Sequence, residues 1–282
     1  MSFFANNNGE LVSGDSYAIR AGNRAHLYGD GLFESIRVID GHPINLQNHI
    51  FRLLEGMHVL GMQIPKEFGL PFFEREIHTL LVKNGLHAGA RVRLSVDRKS
   101  GGTYLPKDNG VDYFIEVEAL TENMFVLNEI GLKVDLYEEI KKQINILSRF
   151  KTKNCLIYIM GSLRAQEKGF DDYLILNEKS GIIESTSSNL FIVSNGVLYT
   201  SGLDLGCLGG TMRMQIINLA IKHNIKVYEC NISPQNLLAA DEVFFTNAIK
   251  GVVWVQSYRS KTYVNRIAEI LIDLLNQEWK TL

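Results

Sequence analysis

Apolar and polar positions recur along this chain with two periods, one helical and one alternating. Leu46, Ile50, Leu53, Leu54, Met57 and Leu60 fall at helical spacing within "LQNHIFRLLEGMHVLG", and Gly61 marks the stop. "FFEREIHTLLVKNG" predicts a second helix, again closed by glycine. "HLYGDGLFESIRVIDGHPIN" reads as two short strands about the turn Asp40-Gly41. "ARVRLSVDR" and "DYFIEVEAL" read as strands flanking the glycine-containing loop "KSGGTYLPKDNG". Together these elements make one α+β unit ending near residue 118.

A polar joint around "TENM" precedes the second half, where "EIGLKVDLYEE" reads as a strand and "NCLIYIMGSLRAQEKG" as a helix closed by Gly169. "DYLILNEKSGIIESTSSNLFIVSNGVLYTS" reads as a strand meander turning at Lys179-Ser180-Gly181 and at Asn195-Gly196. "GGTMRMQIINLAIKHN" predicts a helix entered through paired glycines, and "IKVYECNI" a strand. "DEVFFTNAIKGVVWV" reads as a strand broken by a polar loop, and "VNRIAEILIDLLNQEW" as a closing amphipathic helix. Meanders with intervening helices predict two α+β domains, residues 1–120 and 121–282, and not a doubly wound sheet. "GDGLFE" is not GxGxxG, so the pattern holds no dinucleotide fingerprint.

Composition removes several function classes. Of 282 residues 46% are hydrophobic and 21% charged, and the formal charge of -2 lacks the basic excess of a nucleic-acid binder. No apolar run reaches the roughly 18 residues of a membrane span. The start, "MSFFANNNGELVSGD", lacks the basic and apolar regions of a signal peptide. Cys155, Cys207 and Cys230 form neither a disulfide framework nor a CxxC pair, and the seven histidines show no metal-ligand spacing. The expectation is a cytoplasmic protein without a metal, nucleic-acid or membrane partner.

Local physics offers several candidate groups. Gly209 and Gly210 stand before a helix, whose free N–H groups and dipole suit a phosphate, although an ordinary flexible entrance has the same composition. Glu184 interrupts an apolar strand; inside a sheet it needs a cationic or hydrogen-bonded partner, and on pattern alone it reads as an edge residue facing water. Thr246 and Asn247 end a strand, where they can donate to an anion or simply close a turn. Arg52 lies off the apolar stripe of its helix and reads as a solvated surface residue. Lys151 and Lys153, in "SRFKTKNCLIYIMG", precede a predicted helix whose dipole opposes a cation. A lysine kept there would be desolvated and reactive, without a choice between the two.

Taken in order, "YGDGLFESIRV", "HIFRL", "KTKN", "IIESTSSNLFIVSNGVLYT", "LGGTMR" and "ADEVFFTNA" make the chain resemble the fold-type IV, or class IV, pyridoxal-phosphate-dependent aminotransferases. That family includes branched-chain and D-amino-acid aminotransferases and aminodeoxychorismate lyase. The resemblance implies a two-domain α+β fold of the D-amino-acid aminotransferase type, with the reactive lysine in the larger, C-terminal domain. The family's lysine, three positions before an asparagine, matches Lys151. Its pyridine-nitrogen glutamate matches Glu184, 33 residues later. Its phosphate arginine matches Arg52 of "HIFRL", and its phosphate-binding helix entrance matches Gly210, Thr211 and Met212. Asn189, Asn247 and Ala248 complete the implied cofactor set, with Met212 and Ala248 standing where relatives carry hydroxyls.

The resemblance further implies that Lys151 forms the Schiff base with pyridoxal 5'-phosphate and shuttles a proton, while Glu184 keeps the ring nitrogen protonated. Lys153 is then a neighbour whose charge raises the local positive potential and depresses the pKa of Lys151. Tyr28, Arg93 and Arg98 are the matched candidates for substrate carboxylate; Arg93 resembles the branched-chain enzymes and Arg98 the D-amino-acid enzymes. Glu34 resembles the aminotransferases, whereas "RKSGG", "GTMR" and "TNA" lean toward the lyase branch, and Cys155 replaces the branched-chain enzymes' tyrosine. The implied activity is transfer of an amino group between an amino acid and a 2-keto acid by a homodimer. The alternative is a lyase releasing pyruvate from 4-amino-4-deoxychorismate.

Overall fold

The computed structural model describes residues 3–14 and 21–280. It divides into two compact units: one runs to Met124 and includes Phe150–Asn154, and the other comprises Phe125–Arg149 and the chain from Cys155 onward. Among the described residues no helix is long and apolar enough to cross a membrane.

In the first unit, β1 (Phe4–Asn7) and β2 (Glu10–Ser13) form a hairpin. The short helix α1 (Arg24–Tyr28) follows, its first turn capped by the Asn23 side chain. Then come β3 (Gly31–Ile39), β4 (His42–Pro43), α2 (Leu46–Val59), α3 (Leu70–Lys83), β5 (Ala90–Arg98) and β6 (Val111–Ala119). The six strands pair antiparallel in the order β2-β1-β6-β5-β3-β4. Strand alternation puts Leu32, Ile36, Val92, Leu94 and Ile115 into one core with Ile50, Leu53 and Met57 of α2 and Phe73, Ile77 and Leu80 of α3. Gly31, Phe33, Arg93 and Asp97 occupy the sheet's opposite face.

The boundary expected near residue 120 falls at Met124, and residues 150–154, expected in the second domain, belong to the first unit. Backbone pairing is the reason: Leu32 bridges Thr152, Phe33 N donates to Lys151 O at 2.9 Å, and Lys153 N donates to Gly31 O at 3.0 Å.

The second unit contains β7 (Leu132–Lys142), α4 (Leu156–Lys168), β8 (Asp172–Asn177), β9 (Ile182–Ser185), β10 (Asn189–Ser194) and β11 (Val197–Thr200). These are followed by α5 (Thr211–Lys222), β12 (Val227–Glu229), α6 (Pro234–Ala239), β13 (Glu242–Asn247), β14 (Gly251–Tyr258), β15 (Lys261–Thr262) and α7 (Arg266–Trp279). The sheet runs β12-β11-β10-β13-β14-β7-β8-β9, and β9 pairs back to β10 through Glu184 and Asn189. Six strands, β10-β13-β14-β7-β8-β9, therefore close into a ring. Leu174, Leu190, Ile192, Val243, Phe245 and Val255 share one buried cluster of this sheet. The pairs β7–β8 and β14–β7 are parallel, so this is not a pure meander; the crossover through α4 returns the chain to the same end of the sheet.

The hairpin β1–β2 and the elements α1, α6 and β15 are absent from the periodic pattern because each is six residues or shorter. Local chemistry fixes α6 instead, through Pro234 in its first turn and a reciprocal capping box between Ser233 and Asn236. Truncating the fully buried Ile77 to alanine should cost the first unit about 2–5 kcal/mol by loss of contacts and a residual cavity, read as a lower midpoint in urea unfolding.

Candidate active site

The lysine pair sits in an extended segment, not in the first turn of a helix, since α4 begins only at Leu156. The dipole argument for a reactive amine therefore does not apply to either lysine. Alternation about Thr152 sends Lys151 and Lys153 to one face. The Lys151 amine lies 4.2 Å from the centroid of the Phe33 ring, and the Arg93 guanidinium carbon lies 4.1 Å from the same centroid. Lys153 Nζ is 2.5 Å from Oδ1 of the buried Asp97, whose Oδ2 accepts from Asn23 at 3.0 Å. Position 31 must be glycine for this pair to form: an added Cβ would come within 2.6 Å of Asp97 Oδ1 and 3.1 Å of Lys153 Cδ. The charge of Lys153 is thus answered locally by a carboxylate, which removes the uncompensated potential expected from it.

Arg52 is buried rather than solvated. Its Nε donates to Glu34 Oε1 at 2.8 Å, and its Nη2 donates to Glu34 Oε2. Glu34 lies on the core-facing side of β3, 1% exposed, where α2 presents His49 and Arg52 one turn apart. His49 Nδ1 stands 2.6 Å from Glu34 Oε2; an ionised carboxylate only accepts, so that nitrogen carries the hydrogen. Burial raises the Glu34 pKa, but the Arg52 guanidinium and the His49 hydrogen bond outweigh it and hold the carboxyl at about 2, against 4.5 ordinarily. Burial lowers His49 below the ordinary 6.5. Helical periodicity misjudged Arg52 because the charge that draws it inward stands on another element.

Arg98 is committed elsewhere. Its Nε donates to Asp30 at 2.9 Å, Nη1 to Asn109 at 2.7 Å and Gly61 O at 3.3 Å, and Nη2 to Leu60 O at 2.6 Å. These bonds give Arg98 a structural role, while Arg93 is the matched arginine that shares the Phe33 ring with Lys151. Tyr28 is partly exposed and packs against Tyr104 at 5.9 Å, with the Arg24 guanidinium 5.0 Å from its ring.

In the second unit the strand register lays Glu184, Asn189 and Thr246 side by side across β9, β10 and β13. Glu184 is 3% exposed, not at a wet edge. Its Oε1 accepts from Lys142 Nζ at 2.7 Å and from the Tyr158 hydroxyl at 2.8 Å, and its Oε2 from the Leu208 amide at 2.7 Å. Asn189 Nδ2 donates to Leu208 O at 2.8 Å, so Glu184 and Asn189 together pin the loop that leads into α5. Gly210 caps that helix, and a Cβ there would overlap the Asn189 amide oxygen. The first amides of α5, on Thr211, Met212 and Arg213, have no intrahelical acceptor. Met212 is buried, so that residue offers a ligand its backbone N–H. The Thr246 hydroxyl is buried without a hydrogen-bond partner among the described residues. Asn247 mainly closes its own turn: Oδ1 accepts from Ile249 and Lys250, and Nδ2 donates to Ser188. Ala248 lies in that turn.

Residues 31–258 match the family model described as amino-transferase class IV. The chain is a class IV aminotransferase. A putative branched-chain-amino-acid aminotransferase of Methanocaldococcus jannaschii is 29% identical to it, over 97% of this chain and 94% of that protein. An aminodeoxychorismate lyase of Vibrio harveyi is 25% identical, over 82% and 84%. The solved structure of a branched-chain aminotransferase from Thermoproteus uzoniensis with norvaline superimposes with a TM-score of 0.88, covering 97% and 93% at 22% identity, which shows the shared fold-type IV architecture. This aminotransferase is an enzyme that depends on pyridoxal 5'-phosphate. The side chains present fit that group. Glu184 is an ionisable carboxylate with a lone pair left for a ring nitrogen, and a helix N-terminus beside the buried Thr246 hydroxyl suits a phosphate.

Lys142, Tyr158, Phe33 and Asp97 escaped sequence reasoning. The predicted strand stopped at Glu139, three residues short of the observed end of β7, and Tyr158 reads as one more residue of an apolar helix. The folded pKa of Glu34 lies below its unfolded value, so its pairing stabilises the chain fully above about pH 4.5 and progressively less as pH falls toward 2. Glu34→Gln should therefore lower stability by roughly 3–5 kcal/mol at neutral pH, the cost of breaking a buried ion pair. In denaturant titrations of the cofactor-free protein, the gap from wild type should narrow on acidification below about pH 4.5.

Proposed function

We propose that this aminotransferase moves an amino group between an α-amino acid and a 2-keto acid, with Lys151 as the covalent anchor of its cofactor and the carrier of the transferred proton. The observation that carries this reading is the approach of the Lys151 amine and the Arg93 guanidinium to the one Phe33 ring, 4.2 and 4.1 Å from its centroid. An amine that forms the covalent link and a cation for a carboxylate are the two groups an α-amino acid requires. When bound, the cofactor supplies an electron sink for the carbanion next to the substrate's nitrogen. Lys151 Nζ moves the proton there, and Arg93, with Tyr28, orients the substrate through its carboxylate. Glu184 holds the proton on the ring nitrogen. Arg52 of the first unit, and in the second unit the α5 amides, Asn189 and the Asn247–Ala248 turn, are the groups that would hold the phosphate.

Lys151→Ala should abolish the visible absorption of the lysine-bound cofactor and reduce turnover by several orders of magnitude, whereas Lys153→Ala should keep that band. Addition of an amino donor should convert the spectrum, and a 2-keto acid should restore it. Catalytic release of pyruvate from 4-amino-4-deoxychorismate without a keto acid would instead select the lyase chemistry named for the Vibrio harveyi relative.

A homodimer is part of the same proposal. Leu156, Ile159, Met160 and Leu163 are exposed at helical spacing along α4, an apolar stripe that a second copy of the chain would cover. Leu163→Glu should shift the sedimentation profile toward the monomer at micromolar concentration.

A further inference from the structure

Glu184 lies deep in the second unit with a single ion-pair partner among the described residues, Lys142. A carboxylate offers about four lone-pair directions, two on each oxygen. Lys142 and Tyr158 occupy both on Oε1, and the Leu208 amide occupies one on Oε2. One direction on Oε2 is left. The Lys142 ammonium is itself held from two sides, since Nζ also donates to Ser148 O at 3.0 Å, and it stands at the very end of β7.

Resting on the reading of Glu184 as the ring-nitrogen partner, we propose that Lys142 is a positioning residue: its ammonium fixes Glu184 with one lone pair of Oε2 open, and keeps the shared proton on the cofactor's ring nitrogen rather than on the carboxylate. The step is a proton placement between one nitrogen and one oxygen, with no other bond made or broken. Coulomb energy falls with distance, and Lys142 stands 2.7 Å from Oε1, nearer to the carboxylate than to any group that meets Oε2. It therefore stabilises the anionic carboxylate more than it opposes a cation beyond it. The other titratable groups facing Glu184 add no charge. Burial and the Glu184 charge raise the Tyr158 phenol well above its ordinary range, and burial pushes the Cys207 thiol up to about 12, so both stay neutral near pH 7. Tyr158 holds geometry, while Lys142 supplies the positive charge in contact with Glu184; the Arg213 guanidinium, which also acts on Cys207, is paired with Glu229.

The test uses holoenzyme loaded with pyridoxal 5'-phosphate carrying a 15N-labelled ring, observed by 15N NMR in wild type, Lys142→Met and Lys142→Arg. The expected result is a protonated ring nitrogen in wild type, a shift toward the unprotonated value in Lys142→Met, and recovery in Lys142→Arg. Thermal unfolding of each cofactor-free protein identifies a simple loss of fold, which would leave the charge-retaining arginine variant to decide. A wild-type resonance in cofactor-loaded Lys142→Met, or an unprotonated ring in Lys142→Arg, overturns the proposal. A wild type lacking Lys151-dependent absorbance would overturn the functional reading, and this proposal with it.

Discussion

The second unit is organised about one buried carboxylate. Glu184 occupies the position at which β9 pairs back to β10 and the six-strand ring closes, so its side chain cannot retreat to water. An isolated anion in that position would be costly, and the chain answers it with an ammonium, a phenol and a backbone amide drawn from β7, α4 and the loop before α5. Each of those partners is thereby placed as well. The end of β7 is tied to the ring closure, Tyr158 sets the rotation of α4, and Leu208 fixes the approach to the Gly210 cap. The group proposed to act on the cofactor's ring is therefore also a joint of the fold.

The first unit meets a different problem, that of placing several cations close together. Lys153, only two residues from Lys151 on the same face, would compete for any ligand if its charge were free. Asp97 neutralises it, in space that Gly31 leaves open. Arg98, a further cation at the end of β5, is absorbed by Asp30, Asn109 and two carbonyls. Arg52 is oriented by Glu34 from within the core. The chain thus assigns its cations individually, and two of the carboxylates doing so, Glu34 and Asp97, are buried, where ion pairing is strong enough to hold a long side chain in one rotamer.

Periodicity read the long elements well because they are amphipathic. The helices α2, α3, α5 and α7 and the strand β5 were legible within a few residues at each end, since one face of each meets the core. Charged residues drawn inward by partners distant in sequence were illegible. Arg52 read as surface because Glu34 is on another element, and Glu184 read as an edge residue because Lys142 lies 42 positions away. Ordered motif spacing, not local physics, distinguished Lys151 from Lys153. The assignment of 150–154 to the first unit was likewise invisible, because it depends on backbone pairing with β3, over a hundred residues earlier.

The two departures from the family pattern have a common physical consequence. Met212 and Ala248 have no hydroxyl at the positions where the family resemblance expects one, and the Asn247 side chain is largely occupied with its own turn. Under the proposed function, phosphate recognition in the second unit would then rest on backbone amides of α5 and of the Asn247–Ala248 turn, with Asn189 and the Thr246 hydroxyl beside them. The Thr246 hydroxyl is buried without a partner among the described residues, and an unmet buried hydroxyl costs about 1–3 kcal/mol. Amides at a helix start are held in place by the helix itself, and the Gly210 cap cannot take a side chain without striking Asn189. Under the proposed function, a phosphate accepting from the Thr246 hydroxyl would satisfy a buried donor that has no partner among the described residues, so ligand binding and relief of a buried polar cost would coincide there.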